Sequence, residues 1–344
     1  MNFKSQNKFY KSKAFYSIAA LVAILAIVGI IVLSSNDSDK KTTTSTTTTT
    51  TTTAKKKIVL APLTGLPDES GQSNTRPALA VKIGNNPEAR PQAGITEADI
   101  MYEEIVEGGI TRYMAIFNSN VPERVGPVRS VRGMDPNITL NWGGVFAYSG
   151  GAAKNETKIK STKGILALNE TAAGSGMKRD SSRSAPNNLY ALPSVLFQKN
   201  ATPVPPKAQF VYSKTAPTSA ETAASFVVGF QSGFACTWTY DSATGKFMRS
   251  YGTKPVVDQK SKQVGVANVV VQFINYPSES EGITTGSGDV WVFRNGKVVK
   301  GKWERPSTDS PAKFTDAQGK IISLNPGQTW VELASTTTAV TVTP

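Results

Sequence analysis

The sequence predicts an α+β protein with an N-terminal mixed α/β domain, a mostly β C-terminal domain, and an N-terminal transmembrane helix before both. Three observations lead to this prediction. Residues 15–33 form an uncharged run of nineteen residues. Strand-like and helix-like patterns alternate between residues 78 and 151, which is typical of mixed α/β architecture. From residue 235 onward, short β-rich runs are separated by turn signals, as expected of a β-rich domain.

The uncharged run at 15–33 is long enough to cross a membrane. At ~1.5 Å per residue its helix would be ~28 Å long, about the thickness of a bilayer core. Four lysines precede the run and Asp37 follows it, which predicts that residues 1–14 are cytoplasmic and the folded domains lie outside. A cleaved secretory signal is the alternative, but the run is longer than such signals and no small-x-small site follows it. We therefore expect a single-pass protein of the plasma membrane.

Residues 34–57 read as a linker. Eleven of the twelve residues from Thr42 to Thr53 are threonine, a composition that cannot bury a core and predicts a disordered segment. A second threonine-rich stretch, residues 335–344, predicts a loose tail. Between these segments we place an N-terminal domain at 58–215 and a C-terminal domain at 216–334.

Composition excludes several kinds of site. The chain has no histidine and one cysteine, Cys236, which excludes Ser-His-Asp and Cys-His catalysis, imidazole metal ligands and an internal disulfide. We expect no cofactor and no metal. The net charge is +13, but nine lysines and two aspartates lie in residues 1–57, which leaves +6 for residues 58–344. Because that part has no block of basic residues, we expect no nucleic-acid partner; its mild charge suits anionic lipids or wall polymers.

Local patterns predict the elements of the first domain in order. A strand at 78–83 is followed by a helical turn at 96–99 with Thr96 as its cap. Two β-rich runs on either side of Gly108-Gly109 predict a tight hairpin. Asp135-Pro136 pairs an N-cap acid with a proline at the first helical position, which predicts a helix to Trp142 and then a strand at 145–149.

The second domain begins with a predicted helix at 219–226 and continues in strands. Cys236 lies on the first of these strands, where alternation predicts a small core residue. The Asn295-Gly296 turn is the clearest hairpin signal. The predicted strands are 235–240, 246–251, 264–275, 290–294, 297–303 and 319–333.

Three longer segments have a recognisable pattern. They are residues 76–117, the VGPVRSVR run at 125–132, and Gly301-Lys-Trp-Glu-Arg305 together with Asp316 and Leu324–Trp330. Together they resemble the DUF3048 (YerB-like) family of bacterial envelope proteins over roughly residues 63–333. The resemblance implies an N-terminal and a C-terminal DUF3048 domain and attachment to the outer face of the membrane. It implies no assigned biochemical activity. It also implies histidine at two places that here hold Tyr148 and Asn187, so a histidine-dependent activity would be absent or performed otherwise.

The predicted hairpin offers two carboxylates. A two-residue turn would pair Glu107 with Ile110 and Glu103 with Met114, which places Glu103, Glu107 and Arg112 on one face. Two carboxylates on one face are candidates for the general acid and base of a wall-glycan hydrolase. The alternative is a structural network in which Arg112 is held between the two glutamates and keeps both ionised.

Arginines offer a different kind of site. Arg129 and Arg132 lie just before the helix predicted to begin at Asp135, and arginines near a helix start can bind phosphate or carboxylate. The alternative is that Arg129 pairs with an acid such as Asp135 or Glu104. Further arginines that could converge on this ligand-binding site are Arg90, Arg112 and Arg183.

Function is therefore predicted as non-enzymatic binding of an anionic wall ligand or an envelope partner protein, with the carboxylate-dependent hydrolase as the alternative. Ser175-Gly-Met-Lys178 also fits the S-x-x-K motif of acyl transferases, and Lys214-Thr-Ala216 faintly resembles their K-T-G. The same S-x-x-K pattern recurs in residues 5–8 and 38–41, where catalysis is not expected.

Overall fold

The computed structural model describes residues 58–201, 203–215, 219–230 and 234–344. The predicted cytoplasmic tail, transmembrane anchor and threonine-rich linker, residues 1–57, lie outside this part. Within the described ranges, no helix is both long and apolar enough to span a bilayer. The described residues form one compact unit.

The described residues are mostly β, and we number strands and α-helices separately in chain order. The strands are β1 (Leu79–Gly84), β2 (Ile100–Ile105), β3 (Thr111–Phe117), β4 (Gly144–Ala147), β5 (Ile165–Leu168), β6 (Met177–Arg179), β7 (Leu189–Ala191), β8 (Glu221–Thr222), β9 (Ser225–Gly229), β10 (Cys236–Asp241), β11 (Lys246–Tyr251), β12 (Lys254–Pro255), β13 (Gly265–Val266), β14 (Asn268–Ile274), β15 (Gly286–Arg294), β16 (Lys297–Arg305), β17 (Lys313–Asp316), β18 (Thr329–Ser335) and β19 (Ala339–Thr343). The α-helices are α1 (Asp135–Thr139), α2 (Ala153–Lys160), α3 (Glu170–Ala173) and α4 (Pro193–Gln198).

An eleven-stranded mixed sheet organises the molecule. Its strand order is β17-β16-β15-β14-β18-β2-β3-β1-β4-β5, with β8 beside β16. Strands β2, β3 and β1 pair antiparallel, whereas β18 pairs parallel with both β2 and β14. The parallel pairing of β2 with β18 joins the two predicted domains, 58–215 and 216–334, in one continuous sheet.

A second sheet covers one face of the large sheet. It has six strands in the order β12-β11-β10-β9-β19, with β13 beside β11. Val81 and Met101 of the large sheet share a buried apolar core with Phe226 and Trp238 of the second sheet. Cys236 is fully buried on β10, which confirms its prediction as a core residue.

The opposite face of the large sheet has its own core. Ala80 and Met114 pack there with Ile138 of α1, Trp142 and Ile159 of α2. Helix α1 ends at Thr139, three residues earlier than predicted. The sheet is thus buried on both faces, and any polar side chain in its middle strands needs a partner within the protein.

Four local predictions were wrong. The strand predicted at 319–333 is continuous only from Thr329, where β18 begins. The turn at 96–99 is not helical, because Thr96 Oγ1 donates to Asp258 Oδ2 (2.5 Å) rather than capping a helix. The segment 219–226 forms β8 and the start of β9, because β8 pairs with β16 and β9 pairs with β10. The predicted loose tail, 335–344, contains β19, which pairs with β9 along its whole length.

The hairpin register was also predicted wrongly. Strands β2 and β3 pair Ile105 with Thr111 and Glu104 with Arg112, one residue away from the expected register. The connection is a three-residue 3-10 turn, Glu107–Gly109, in which both glycines have positive φ (74° and 65°). A shift of one residue moves side chains to the opposite face of a sheet. Glu103 and Arg112 therefore lie on opposite faces.

Candidate functional site

The segment that carries Arg129 is held between two strand ends. Arg129 N–H donates to Lys82 O (2.9 Å) in β1, and Ser149 N–H, just after β4, donates to Arg129 O (3.0 Å). Two residues further on, Val131 N–H donates to Gly150 O (2.9 Å). These backbone hydrogen bonds fix the segment on both sides, so its side chains have defined positions relative to the sheet.

Three of the predicted arginines come together here. Arg112 Nη1 and Arg132 Nη1 both donate to the carbonyl oxygen of Ser130, at 3.1 and 3.4 Å. Arg129 Nη1 donates to Asn187 Oδ1 at 2.7 Å. We call Arg112, Arg129 and Arg132 the arginine cluster. Arg112 is buried, and the other two side chains are partly exposed.

The charges of the arginine cluster oppose one another. Burial, together with the positive charges of Arg132 and Arg129, lowers the pKa of Arg112 to about 10. The pKa of Arg129 is also lowered, first by burial and then by Arg132. Like charges held close in a partly buried site disfavour their own ionisation. The protein thus holds these cations together at a cost in free energy.

Within the described residues the cluster forms one ion pair, although nearby Glu104 and Glu107 favour the charged form of Arg112 and Glu88 favours that of Arg129. Arg132 forms an ion pair with Glu107 (2.8 Å), whose side chain is 58% exposed. Among the described residues, no carboxylate forms an ion pair with Arg112 or Arg129. The predicted alternative, a pair between Arg129 and Asp135 or Glu104, is therefore wrong. Two guanidinium groups are left bonded to neutral oxygens only.

Arg90 and Arg183 do not share acceptors with the cluster. Arg90 Nη2 donates to Asn85 O (2.7 Å), and its guanidinium lies 4.0 Å from the ring centre of Tyr251. Arg183 donates to the hydroxyl of Tyr190 and to a backbone carbonyl, both at 2.7 Å. Both arginines therefore stabilise surface segments through hydrogen bonds, and neither belongs to the candidate site.

A buried ionic group lies beneath the cluster. Lys82 Nζ bonds Glu104 and also Asp135 Oδ1 (2.7 Å), and all three side chains are fully buried. Asp135 Oδ2 accepts the backbone N–H of Arg132 (2.7 Å). Burial, followed by the charge of Asp135, raises the pKa of Glu104 to about 8. This group ties the backbone of Arg132 to the middle of the sheet.

A second buried ionic group lies on the other face of the sheet. Arg249 bonds Glu103 Oε2 (2.6 Å) and Glu332 Oε1 (2.7 Å), again with no exposed side-chain surface. Trp238 Nε1 and Cys236 Sγ also donate to Glu332 Oε1. Burial is the main reason that the pKa of Glu103 rises to about 8. We call Glu103, Arg249 and Glu332 the inter-sheet triad.

The two candidate catalytic carboxylates are separated. Glu103 is sealed between the two sheets, where no sugar can reach it, and Glu107 lies in the exposed turn with Arg132 as its partner. The shared face that would make them a general acid and base therefore does not exist. Arg112 is not held between them either, because its bonded acceptor is Ser130 O.

Comparison with known families decides the identity. Residues 63–203 match the family described as "Protein of unknown function (DUF3048) N-terminal domain", and residues 226–331 match the corresponding C-terminal domain. Together these matches cover well over half of the chain. The chain belongs to the DUF3048 family.

A relative and a solved structure agree with this membership. The protein named "Putative lipoprotein YerB" of Bacillus subtilis (strain 168) is 28% identical over 292 residues, which cover 79% of this chain and 85% of that protein. The crystal structure of YerB protein from Bacillus subtilis matches with a TM-score of 0.72 at 23% identity, over 82% of this chain and 99% of that one. The latter shows a shared fold.

The two places where the DUF3048 resemblance implied histidine lie near the cluster. Asn187 accepts the hydrogen bond of Arg129. Tyr148 follows β4 directly and is fully buried, and its hydroxyl has no hydrogen-bond partner within the described residues. Neither residue can transfer a proton as histidine does at neutral pH. This member therefore offers hydrogen-bonding groups, rather than a neutral-pH acid–base pair, around the arginines.

Sequence reasoning missed several charged residues of this DUF3048 member. Lys82 sits in an otherwise apolar strand, and that exception was the available signal for a buried ion pair. A cavity of about 610 Å³ is lined by three lysines from separate segments, Lys214, Lys246 and Lys262. Only Lys214 belonged to a predicted motif. The partner motif residue Ser175 does not line that cavity, so the two halves of the acyl-transferase pattern do not meet there.

Proposed function

We propose that this chain is a membrane-anchored, extracytoplasmic envelope protein that binds an anionic ligand at the arginine cluster. The ligand class is a phosphate-bearing wall polymer, and the alternative occupant is an envelope partner protein that presents acidic groups. The observation that carries the proposal is the convergence of Arg112, Arg129 and Arg132, whose guanidinium groups form, among the described residues, one ion pair, between Arg132 and Glu107.

The chemistry of the cluster suits the oxygens of phosphate or carboxylate groups. Guanidinium groups present a planar fork of donors that matches phosphate and carboxylate oxygens in a bidentate manner. The charge of Arg132 lowers the pKa of both Arg112 and Arg129, so a bound anion would relieve repulsion as well as form hydrogen bonds. Each charge-assisted hydrogen bond of this kind contributes about 1.5–3 kcal/mol in proteins.

The proposed location rests on the sequence and on a relative's name. The uncharged run at 15–33, with lysines before it and Asp37 after it, favours a single span with the domains outside. The relative from Bacillus subtilis carries the word lipoprotein in its name, which supports a membrane-attached envelope location. A reporter enzyme fused after Pro344 should be active outside the cytoplasm. Activity of the fusion inside the cytoplasm would overturn this topology.

The hydrolase alternative receives no support from the geometry. Inverting and retaining glycosidases both need two carboxyl groups about 5–10 Å apart in a cleft that admits sugar. Glu103 has no exposed surface and Glu107 is an ion-pair partner of Arg132. We do not propose catalysis by this pair.

Binding of poly(glycerol phosphate) to the full chain tests the anion proposal. The double variant Arg129→Gln/Arg132→Gln should bind at least about tenfold more weakly, because lost charge-assisted hydrogen bonds are worth more than 1.4 kcal/mol. Binding by the parent should weaken as salt is raised from 50 to 300 mM (about a twofold change in screening length). Isothermal titration calorimetry measures both effects.

A matched control changes the lysine-lined cavity, which is also basic. The variant Lys246→Gln/Lys262→Gln removes the same charge from the lysine-lined cavity and should bind like the parent. If this control loses binding and the arginine variant does not, the ligand occupies the lysine cavity and the proposed site is wrong. If the parent, the arginine variant and the lysine variant all bind equally, the binding is non-specific electrostatic attraction. This result would also contradict the proposal.

A further inference from the structure

A gap opens in the large sheet between β14 and β15. The pairing of β14 with β15 ends at Gln272 and Val290, whereas β15 continues beside β16 as far as Gly286 and Arg305. Residues 286–289 are therefore paired on one side only. Where the two strands diverge there is a cavity of about 520 Å³, a volume within the range of small-molecule sites.

Aromatic side chains form the apolar part of this cavity. Trp291 and Phe273 both line it and meet edge to face, with ring centres 5.8 Å apart. The indole of Trp303 lies across the gap, and its Nε1 donates to Phe273 O (2.9 Å). A Cβ atom at Gly288 would lie 2.7 Å from Trp303 Nε1. Glycine at 288 is thus what allows the indole to cross the gap.

Polar side chains line the rest of the cavity. Asn275 and Ser287 are exposed, and within the described ranges their side chains form no hydrogen bond to the protein. Asp289 is bonded to Lys302 (2.6 Å), but both side chains are more than half exposed, and such surface pairs are easily exchanged. The cavity therefore combines aromatic faces with unused or exchangeable hydrogen-bonding groups.

The local charges cancel one another. Lys302 pairs with Asp289, and Lys300, whose Nζ lies 4.9 Å from the Trp291 ring centre, pairs with Glu221 (3.0 Å). Among the described residues that line the cavity, Asp289 is the one charged group and Lys302 compensates it, in contrast to the arginine cluster. A neutral ligand with one apolar face and several hydroxyl or amide groups fits this composition.

We infer that this cavity is a binding site for a neutral pyranose oligosaccharide. The aromatic rings supply flat apolar surface for the C–H face of a sugar ring, while Asn275, Ser287 and Asp289 supply donors and acceptors for its hydroxyl and acetamido groups. The inference concerns a second site, independent of the arginine cluster and of the ligand proposed there.

An added peptide strand is the main competing occupant, since residues 286–289 have one unpaired edge. Strand addition requires free main-chain donors and acceptors along the edge. The facing carbonyl of Phe273 is already bonded by Trp303, whose ring lies in the path of such a strand. The geometry therefore favours a compact ligand that stacks on the aromatic rings, rather than an added peptide strand.

Titration of the full chain with chitotetraose, an uncharged β-1,4-linked tetramer of N-acetylglucosamine, tests the inference. Calorimetry should show saturable binding that is insensitive to salt. The variant Trp291→Ala should weaken binding about tenfold, as expected for losing a ring-stacking contact together with its buried area. A control variant, Ile321→Ala, removes exposed apolar surface outside the cavity and should bind like the parent.

Two further measurements keep the test decisive. If Trp291→Ala does not fold, the variant Asn275→Ala/Ser287→Ala replaces it, because both of its sites are exposed, and should also bind more weakly than the parent. The Arg129→Gln/Arg132→Gln protein should bind chitotetraose normally, so failure of the anion proposal leaves this one standing. Absence of binding by the parent at millimolar chitotetraose would overturn the inference. Equal binding by the parent and the folded cavity variant, either Trp291→Ala or Asn275→Ala/Ser287→Ala, would overturn it as well.

Discussion

Replacing Arg249 by methionine should strongly destabilise the protein, and the loss should depend on pH. The guanidinium of Arg249 is the one cation of the inter-sheet triad and bonds both Glu103 and Glu332 in a fully buried site. Methionine keeps much of the side-chain volume but leaves two buried carboxyl groups without a cation. Removing one partner of a buried ionic group costs about 3–5 kcal/mol, and we expect this loss of unfolding free energy at pH 8.

At pH 5 the loss should be smaller. The two carboxyl groups can bind protons instead of remaining as buried anions, and each pH unit changes the free energy of binding one proton by about 1.4 kcal/mol. Between pH 8 and pH 5, one additional bound proton therefore recovers up to ~4 kcal/mol of the loss. Urea unfolding followed by tryptophan fluorescence is a suitable assay, since Trp238 and Trp330 lie 5.1 and 4.5 Å from the guanidinium.

The control is the same substitution in an exposed pair. Arg179 bonds Glu170 at the surface, with both side chains more than a third exposed, so Arg179→Met should cost no more than about 1 kcal/mol at either pH. If Arg249→Met is within 1 kcal/mol of the parent at pH 8 (a bound taken from the surface-pair range), or loses the same amount at both pH values, the assignment of a buried, charge-paired triad is refuted.

Three other outcomes follow from the structure. The folded-state pKa of Glu104 is raised to about 8, so its contribution to stability is complete below pH 4.5 and is lost as pH rises through 8. The urea midpoint of the parent should therefore fall between pH 5 and 8, and that of Glu104→Gln should fall less. Deleting residues 336–344 should lower the melting temperature, because β19 covers the edge of β9; an unchanged value would restore the loose-tail prediction. Gly301→Ala should destabilise strongly in thermal unfolding, because a Cβ would lie 2.0 Å from Thr315 O, whereas Gly319→Ala meets open space and should show only the moderate cost of a positive φ.

Much of the local structure could be predicted from the sequence, because short-range patterns determine it. The strand at 246–251 and the Asn295-Gly296 hairpin were predicted closely. The arginine cluster was also predicted in part, since Arg129 and Arg132 are near neighbours in the chain. Convergence of Arg112 with them depends on the β2–β3 register and on the position of Ser130. The sequence predicted that these three arginines form a site, but not the hydrogen bonds that bring them together.

The failures share a physical cause, which is dependence on distant partners. The hairpin register depends on whether Gly108-Gly109 forms a two-residue or a three-residue connection, and one residue decides which face Glu103 occupies. Arg249, the partner of Glu103, lies 146 residues away in the chain, so no local sequence pattern could predict their ion pair. Glu103 and Glu104 are consecutive, yet each belongs to a different buried ionic group on its own side of the sheet.

The most direct test of the anion site is to observe the arginine side chains themselves. In a ¹H–¹⁵N spectrum of the full chain, the Nε–Hε signals of Arg112, Arg129 and Arg132 should shift together and saturate as glycerol 3-phosphate is added. The signal of Arg179, which is engaged with Glu170 at the surface, should stay in place. Shifts of equal size in all arginines, or no shift in the three cluster signals at saturating ligand, would contradict the account.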